Sequence, residues 1–148
     1  SIVRLVCPDT CGCSSPRSGL FRNGDDRGCP VGACQESAKY NEALAGLPCE
    51  DPTPDELRAL PGWRRYWQEF AEVMAAFQPA RASLFATANR SALQDGCAVH
   101  ASLSMDLQEL VCESKGITGD IRSFCPETCR CASLPTRNCP ASCLRPPF

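Results

Sequence analysis

A seven-residue pattern, cysteine-proline-acid-threonine-cysteine-x-cysteine, occurs twice in this chain and restricts its fold more than any other feature. Residues 6–13 read VCPDTCGC and residues 124–131 read FCPETCRC. Thirteen cysteines in 148 residues approach the density of a disulfide scaffold and place the chain in an oxidising compartment, because cytosolic thiols stay reduced. Proline and glycine crowd the motif as tight, cross-linked loops require. Bridges there replace a core that so short a segment cannot bury. The bridge candidates are Cys7, Cys11, Cys13, Cys29, Cys34, Cys49, Cys97, Cys112, Cys125, Cys129, Cys131, Cys139 and Cys143. Zinc is the rival reading. It prefers C-x2-C knuckles or cysteine with histidine, whereas this chain has C-x3-C, C-x-C and a single histidine, so no metal is expected. The same absence of C-x-x-C removes thioredoxin-like exchange. An odd cysteine count leaves at least one thiol without a partner in the chain. If Cys7 to Cys49 close among themselves, the odd thiol falls in the second module.

The repetition extends past the motif. CPVGAC, with Cys29 and Cys34, follows the first copy, and CPASC, with Cys139 and Cys143, follows the second. The second copy also has an upstream half carrying Cys97 and Cys112 that has no counterpart before Cys7, so the chain reads as a processed or fragmentary product of a longer repeat protein. Three segments result: a first cysteine-rich module at 1–49, a cysteine-free helical segment at 50–95 and a second cysteine-rich module at 96–148.

The central segment carries the clearest periodicity. Thr53 is a predicted N-cap with Pro54 at the first helical position and Glu56 completing a capping box, giving a short helix that Pro61 and Gly62 stop near Leu60. Trp63, Tyr66, Trp67, Phe70, Val73, Met74 and Phe77 then recur at three and four, forming one face of an amphipathic helix, with Arg64, Arg65, Gln68, Glu69 and Glu72 opposite. That face is expected to pack as core, with a partner surface as the alternative reading. Pro79 interrupts it, and residues 80–93 form a further helix with Leu84, Phe85 and Ala88 inward, closed by Asp95 and Gly96. Shorter helices are predicted over 36–45 and 105–112. Nothing alternates like a strand. The expected fold is mainly α, central amphipathic helices flanked by two loop-rich, disulfide-stapled modules with little or no sheet.

The formal net charge of -2 supplies no basic field for nucleic acid. No run free of Asp, Glu, Lys and Arg exceeds residues 96–105, too short to span a bilayer. Catalytic motifs are scarce. His100 could act as the base for Ser102 or Ser104, but no nucleophile elbow or acidic third member accompanies it. Asp25 with Asp26, and Glu69 with Glu72, read as a solvated turn and a polar helix face. Asn89 heads a formal N-R-S glycosylation acceptor within a predicted helix and reads as accidental. No cofactor is implied.

CPDTCGC and CPETCRC, with the following C-P-x-x-C and the upstream "DGC...LVCES", resemble the cysteine-rich repeats common in exported or plastid-routed dinoflagellate proteins. They are distantly similar to the C-terminal part of the ShKT domain, which ends C-x-x-x-C-x-x-C. The chain departs from that pattern in the C-x-C of Cys129 and Cys131 and in lacking a third cysteine between Cys112 and Cys125. The resemblance implies pairs Cys97–Cys131 and Cys112–Cys125, with Cys129 joined to Cys139 or Cys143. With catalytic motifs so scarce the chain reads as a non-catalytic, disulfide-stabilised interaction protein that contacts other proteins, and the resemblance implies, most concretely, a soluble thylakoid-lumen subunit bracing a photosystem supercomplex from its periphery. A secreted adhesion or channel-blocking module is the alternative, and a small hydrolase using His100 is the second.

Overall fold

The computed structural model describes residues 15–22, 37–113 and 118–144. It is mainly helical, and the one β pairing among the described residues is an isolated bridge between Arg22 and Thr118. Helix α1, Ala38–Ala45, begins at Ser37, whose hydroxyl accepts from the Tyr40 N–H, and ends at Gly46. Helix α2, Pro54–Arg58, has the expected capping box: the Glu56 N–H donates to Thr53 Oγ1 and the Thr53 N–H donates back to the Glu56 carboxylate. Arg58 at its end pairs with Asp55 and donates to the Leu93 carbonyl at 2.8 Å. Pro61 and Gly62 do more than stop α2. They are the first two residues of α3, Pro61–Phe77, because proline loses nothing at a position whose N–H has no intrahelical acceptor. A 3-10 turn at Pro79–Arg81 leads into α4, Ala82–Asp95. Gly96 ends α4 with φ 64°, a backbone shape that favours glycine. Short helix α5, Val99–Ser102, and helix α6, Met105–Cys112, follow, and the C-terminal module beyond is a series of turns closed by a 3-10 turn at Ala141–Leu144.

Trp63, Tyr66, Trp67 and Phe70 of α3 are buried, as their spacing requires, and Val73 and Met74 pack at the edge of the same cluster. Phe77 departs from the expected stripe and is 76 % exposed. The helix ends there, and its C-cap Gln78 leads directly into the turn before α4. Leu84 is likewise 42 % exposed, while Phe85 and Ala88 point inward as expected. The seam faces a groove one residue further round α4 than predicted, with Phe85, Ala88 and Ala92 along it. Rings meet edge to face through the core: Phe70 lies 5.1 Å from Trp67, 5.5 Å from Phe21 and 5.9 Å from Phe85, and Trp63 lies 5.4 Å from Phe124. Such pairs add about 0.5–1.5 kcal/mol each beyond the area they bury.

One hydrophobic cluster thus draws Phe21 from the first segment, α2 to α4 from the second, and Val99, Leu107, Val111, Ile121 and Phe124 from the third. The chain before α1 reaches it by a close backbone crossing. A Cβ on Gly62 would stand 2.0 Å from the Arg17 carbonyl oxygen, and one on Gly19, with φ 76°, would stand 1.8 Å from that of Gly62. Two glycines let residues 17–19 lie directly on the first turn of α3.

Candidate functional site

The second copy of the repeated motif sits at the junction of the core and the C-terminal turns, and each of its side chains has a definite use. Cys125 bridges to Cys97, Cys129 to Cys112 and Cys131 to Cys139. These pairings correct the expectation drawn from the ShKT-like resemblance, which joined Cys97 to Cys131, Cys112 to Cys125 and Cys129 to Cys139 or Cys143. The Cys125–Cys129 turn presents its cysteines in the order in which α4 and α6 deliver theirs: Cys97 follows α4 and Cys112 ends α6. The fourth bridge, Cys49–Cys143, spans 94 residues and joins the first segment to the last. Cys49 therefore does not close within its own module. All seven cysteines of the second module are paired, the seventh with Cys49, so the odd thiol belongs to the set Cys7, Cys11, Cys13, Cys29 and Cys34, which lies outside the described residues. The protein is disulfide-stabilised, as suits an oxidising compartment.

The acid and threonine of the motif hold a carboxylate rather than face solvent as a pair. The N–H groups of Glu127 and Thr128 donate to Asp51 Oδ1 at 2.9 and 3.3 Å, and the Thr128 hydroxyl donates to Asp51 Oδ2 at 2.5 Å. Glu127 in turn accepts from the Asp51 N–H at 3.2 Å. This reciprocal clamp anchors the segment just after Cys49, and the sequence reading missed it. A second unforeseen network joins α1 to the same module. The Tyr40 hydroxyl donates to Asn138 Oδ1 at 2.6 Å, Asn138 Nδ2 donates to Asp120 Oδ2 at 2.7 Å, and the Arg122 N–H donates to Asp120 Oδ1 at 3.0 Å. Burial pushes the Asp120 carboxyl above its ordinary range, against the opposing pull of Asn138 and of the Arg122 charge.

Between α5, α6 and the motif turn lies a groove of about 440 Å³. The Cys112–Cys129 bridge forms part of its lining, together with His100, Gln108, Glu109, Glu113, Arg122, Thr128, Arg130, Leu134 and Thr136. Gln108 is fixed by two hydrogen bonds from its Nε2, to the carbonyls of His100 at 3.0 Å and Leu103 at 3.2 Å. Arg122 donates to Thr136 Oγ1 at 2.5 Å and lies 4.0 Å from Asp120. His100 is half-buried, and desolvation holds its pKa below the ordinary value against the raising effect of the Asp51 charge. The structure does not hydrogen-bond its ring to either serine proposed beside it. Ser102 donates to the Val99 carbonyl at 2.7 Å, and Ser104 binds the Asp106 carboxylate.

The other residues singled out from the sequence lie elsewhere. Glu69 accepts from the Arg22 N–H at 3.1 Å, and Gln68 donates to Glu72. Asp25 and Asp26 lie outside the described residues. Asn89 is half-buried in α4 with its Oδ1 enclosed and without a hydrogen-bond partner. Among the described residues no three His, Cys, Asp or Glu side chains gather as a metal site, and no helix is long and apolar enough to cross a membrane. Phe77, Leu84 and Met105 are exposed apolar side chains flanking a junction where Arg81 donates to Asp106 at 3.3 Å. No family model, curated protein or solved structure matches the chain.

Proposed function

We propose that this chain is a non-catalytic interaction protein, made rigid by disulfides so that irregular loops and helix ends are presented to protein partners in an oxidising compartment. The observation that carries the proposal is how the second motif uses its chemistry. Its three cysteines are all bridged, and its acid and threonine hold Asp51, so the cysteines, acid and threonine of this copy are committed to architecture. In its most concrete form the proposal makes the protein a peripheral thylakoid-lumen subunit bracing a light-harvesting photosystem supercomplex. The resemblance of CPDTCGC and CPETCRC to repeats of plastid-routed dinoflagellate proteins supports that form, while the disulfide content supports an oxidising compartment.

The test is fractionation of native photosynthetic membranes and of secreted material, followed through the peptide YWQEFAEVMAAFQPAR. The expected result is migration with chlorophyll proteins on a native gel and release from inside-out vesicles by salt washing. Recovery only in secreted material would move the protein to the extracellular alternative. Turnover of a substrate by the purified chain, lost in His100→Ala without unfolding, would overturn the non-catalytic reading itself.

A further inference from the structure

The four described bridges differ in how far solvent reaches them. Cys97, Cys112, Cys125 and Cys129 are buried in the main hydrophobic cluster, and Cys131, Cys139 and Cys143 are buried as well. Cys49 alone among the described bridged cysteines is half-buried. It lies between exposed Pro48 and Glu50, in a stretch at 47–53 that is neither helix nor strand, and its partner Cys143 sits in the final 3-10 turn. Access decides which disulfide an outside thiolate attacks, and accessible bridges are the labile ones of a protein. Polar ties flank this bridge on both sides. Ser142 Oγ, beside Cys143, donates at 2.9 Å to the carbonyl of Leu47, two residues before Cys49. Two residues after Cys49, Asp51 accepts from the N–H groups of Glu127 and Thr128 and from the Thr128 hydroxyl. None of these hydrogen bonds needs the disulfide, so they hold the two cysteines opposite each other when the bridge is open.

We propose that Cys49–Cys143 is a reversible redox site, opened by a dithiol reductant and closed again by a partner of the same class in its disulfide form, while the other three described bridges stay intact. In opening, one thiolate of the dithiol attacks the Cys49 sulfur, the S–S bond breaks, and Cys143 leaves as a thiolate that takes up a proton. The dithiol's second thiolate then attacks its own sulfur in the mixed disulfide and expels Cys49, which is protonated in turn. Two electrons and two protons reach the bridge, and the partner departs as a disulfide. Closing runs the same steps backward. Opening removes the covalent link described between the segment at 37–51 and the C-terminal turns, and leaves the hydrogen bonds of Leu47, of Asp51 and of Tyr40 with Asn138. Redox state thereby sets how firmly that segment is held, and in an oxidising compartment the closed form is the resting one.

The experiment treats the full oxidised chain with dithiothreitol in native buffer, quenches samples at intervals with iodoacetamide, and follows the four bridges by peptide mass spectrometry. Cys49–Cys143 is expected to open roughly tenfold faster, or more, than Cys97–Cys125, Cys112–Cys129 or Cys131–Cys139. The chain opened at that bridge should keep its near-ultraviolet circular dichroism. Transfer to oxidised dithiothreitol should re-form Cys49–Cys143, and Ser142→Ala should slow that reclosure by about threefold to tenfold without changing which pair forms. Opening of another described bridge at the same rate would overturn the proposal. So would release of all four in one step with loss of the near-ultraviolet signal, reoxidation that joins Cys49 or Cys143 to a different cysteine, or an unchanged reclosure rate in Ser142→Ala.

Discussion

Gly62 and the two tryptophans of α3 show how a residue's effect depends on what lies against it. Glycine inside a helix ordinarily costs about 1 kcal/mol relative to alanine, so Gly62→Ala would be expected to stabilise an isolated α3. In this fold the added Cβ would meet the Arg17 carbonyl oxygen at 2.0 Å, and backbone cannot rotate aside as a side chain can. Gly62→Ala is therefore expected to destabilise by about 1–3 kcal/mol, as a lower urea midpoint; a higher midpoint would mean that residues 17–19 do not cross there. Trp63 and Trp67 are both fully buried, yet the Trp63 indole N–H donates to the Ala92 carbonyl at 3.0 Å while that of Trp67 has no partner. An enclosed donor without an acceptor costs about 1–3 kcal/mol. Phenylalanine removes that penalty at position 67 and a satisfied hydrogen bond at position 63. Trp67→Phe should accordingly cost at least about 1 kcal/mol less than Trp63→Phe, and equal losses in denaturant titration would contradict the difference in bonding.

At the scale of elements, the connection between α1 and the C-terminal turns is polar. Tyr40, Asn138 and Asp120 form a hydrogen-bonded chain with Asp120 nearly enclosed, its side chain 2 % exposed. Burial raises the Asp120 pKa in the folded state, so the folded chain holds that proton more firmly than the unfolded chain does. The resulting stability is fully present below the unfolded value of about 4 and is lost as pH rises through the higher folded value. Asp120→Asn keeps an acceptor for Asn138 without a titrating charge. The difference in urea midpoint between wild type and Asp120→Asn should therefore shift against the wild type as pH is raised from about 4 toward neutrality. A difference independent of pH over that interval would show that Asp120 titrates normally. The same chemistry explains why the α1 contact was not legible beforehand: its partners lie 98 residues apart in the chain, and no local pattern marks a tyrosine, an asparagine and an aspartate for one another.

For the whole molecule, the Cys49–Cys143 bridge closes a loop with a sequence separation of 94 that contains α2 to α6 and the entire motif turn. Chain-entropy arguments assign such a loop about 4–5 kcal/mol. Its removal should leave a folded core, because the aromatic cluster and the other bridges do not depend on it. The double variant Cys49→Ser, Cys143→Ser is expected to unfold cooperatively, with stability reduced by about 3–5 kcal/mol, and to keep its near-ultraviolet circular dichroism at 25 °C. Loss of that signal would mean that the bridge is needed for the core to form at all.

The sequence by itself determined whatever depends on neighbours along the chain. The Thr53–Glu56 capping box, the α3 face through Phe70, the stop at Gly96 and the bridging of the second motif's cysteines follow from spacing, caps and composition, because helices and turns are local solutions to local hydrogen-bonding demands. Tertiary structure decided which partners those groups found. Phe77 belongs to the periodic face yet lies in solvent, because periodicity specifies an angle around the helix and cannot say where the covering helix ends. The pairings Cys97–Cys125 and Cys112–Cys129 depend on where α4 and α6 deliver their ends, and the union of Cys49 with Cys143 depends on how residues 94 apart are brought together. The Asp51 clamp and the left-handed backbone of Arg130, at φ 61°, were visible only as the letters E, T and R in a repeat. Of these, the substitution of arginine for the Gly12 of the first copy was the one trace in the sequence that a strained position would be found there.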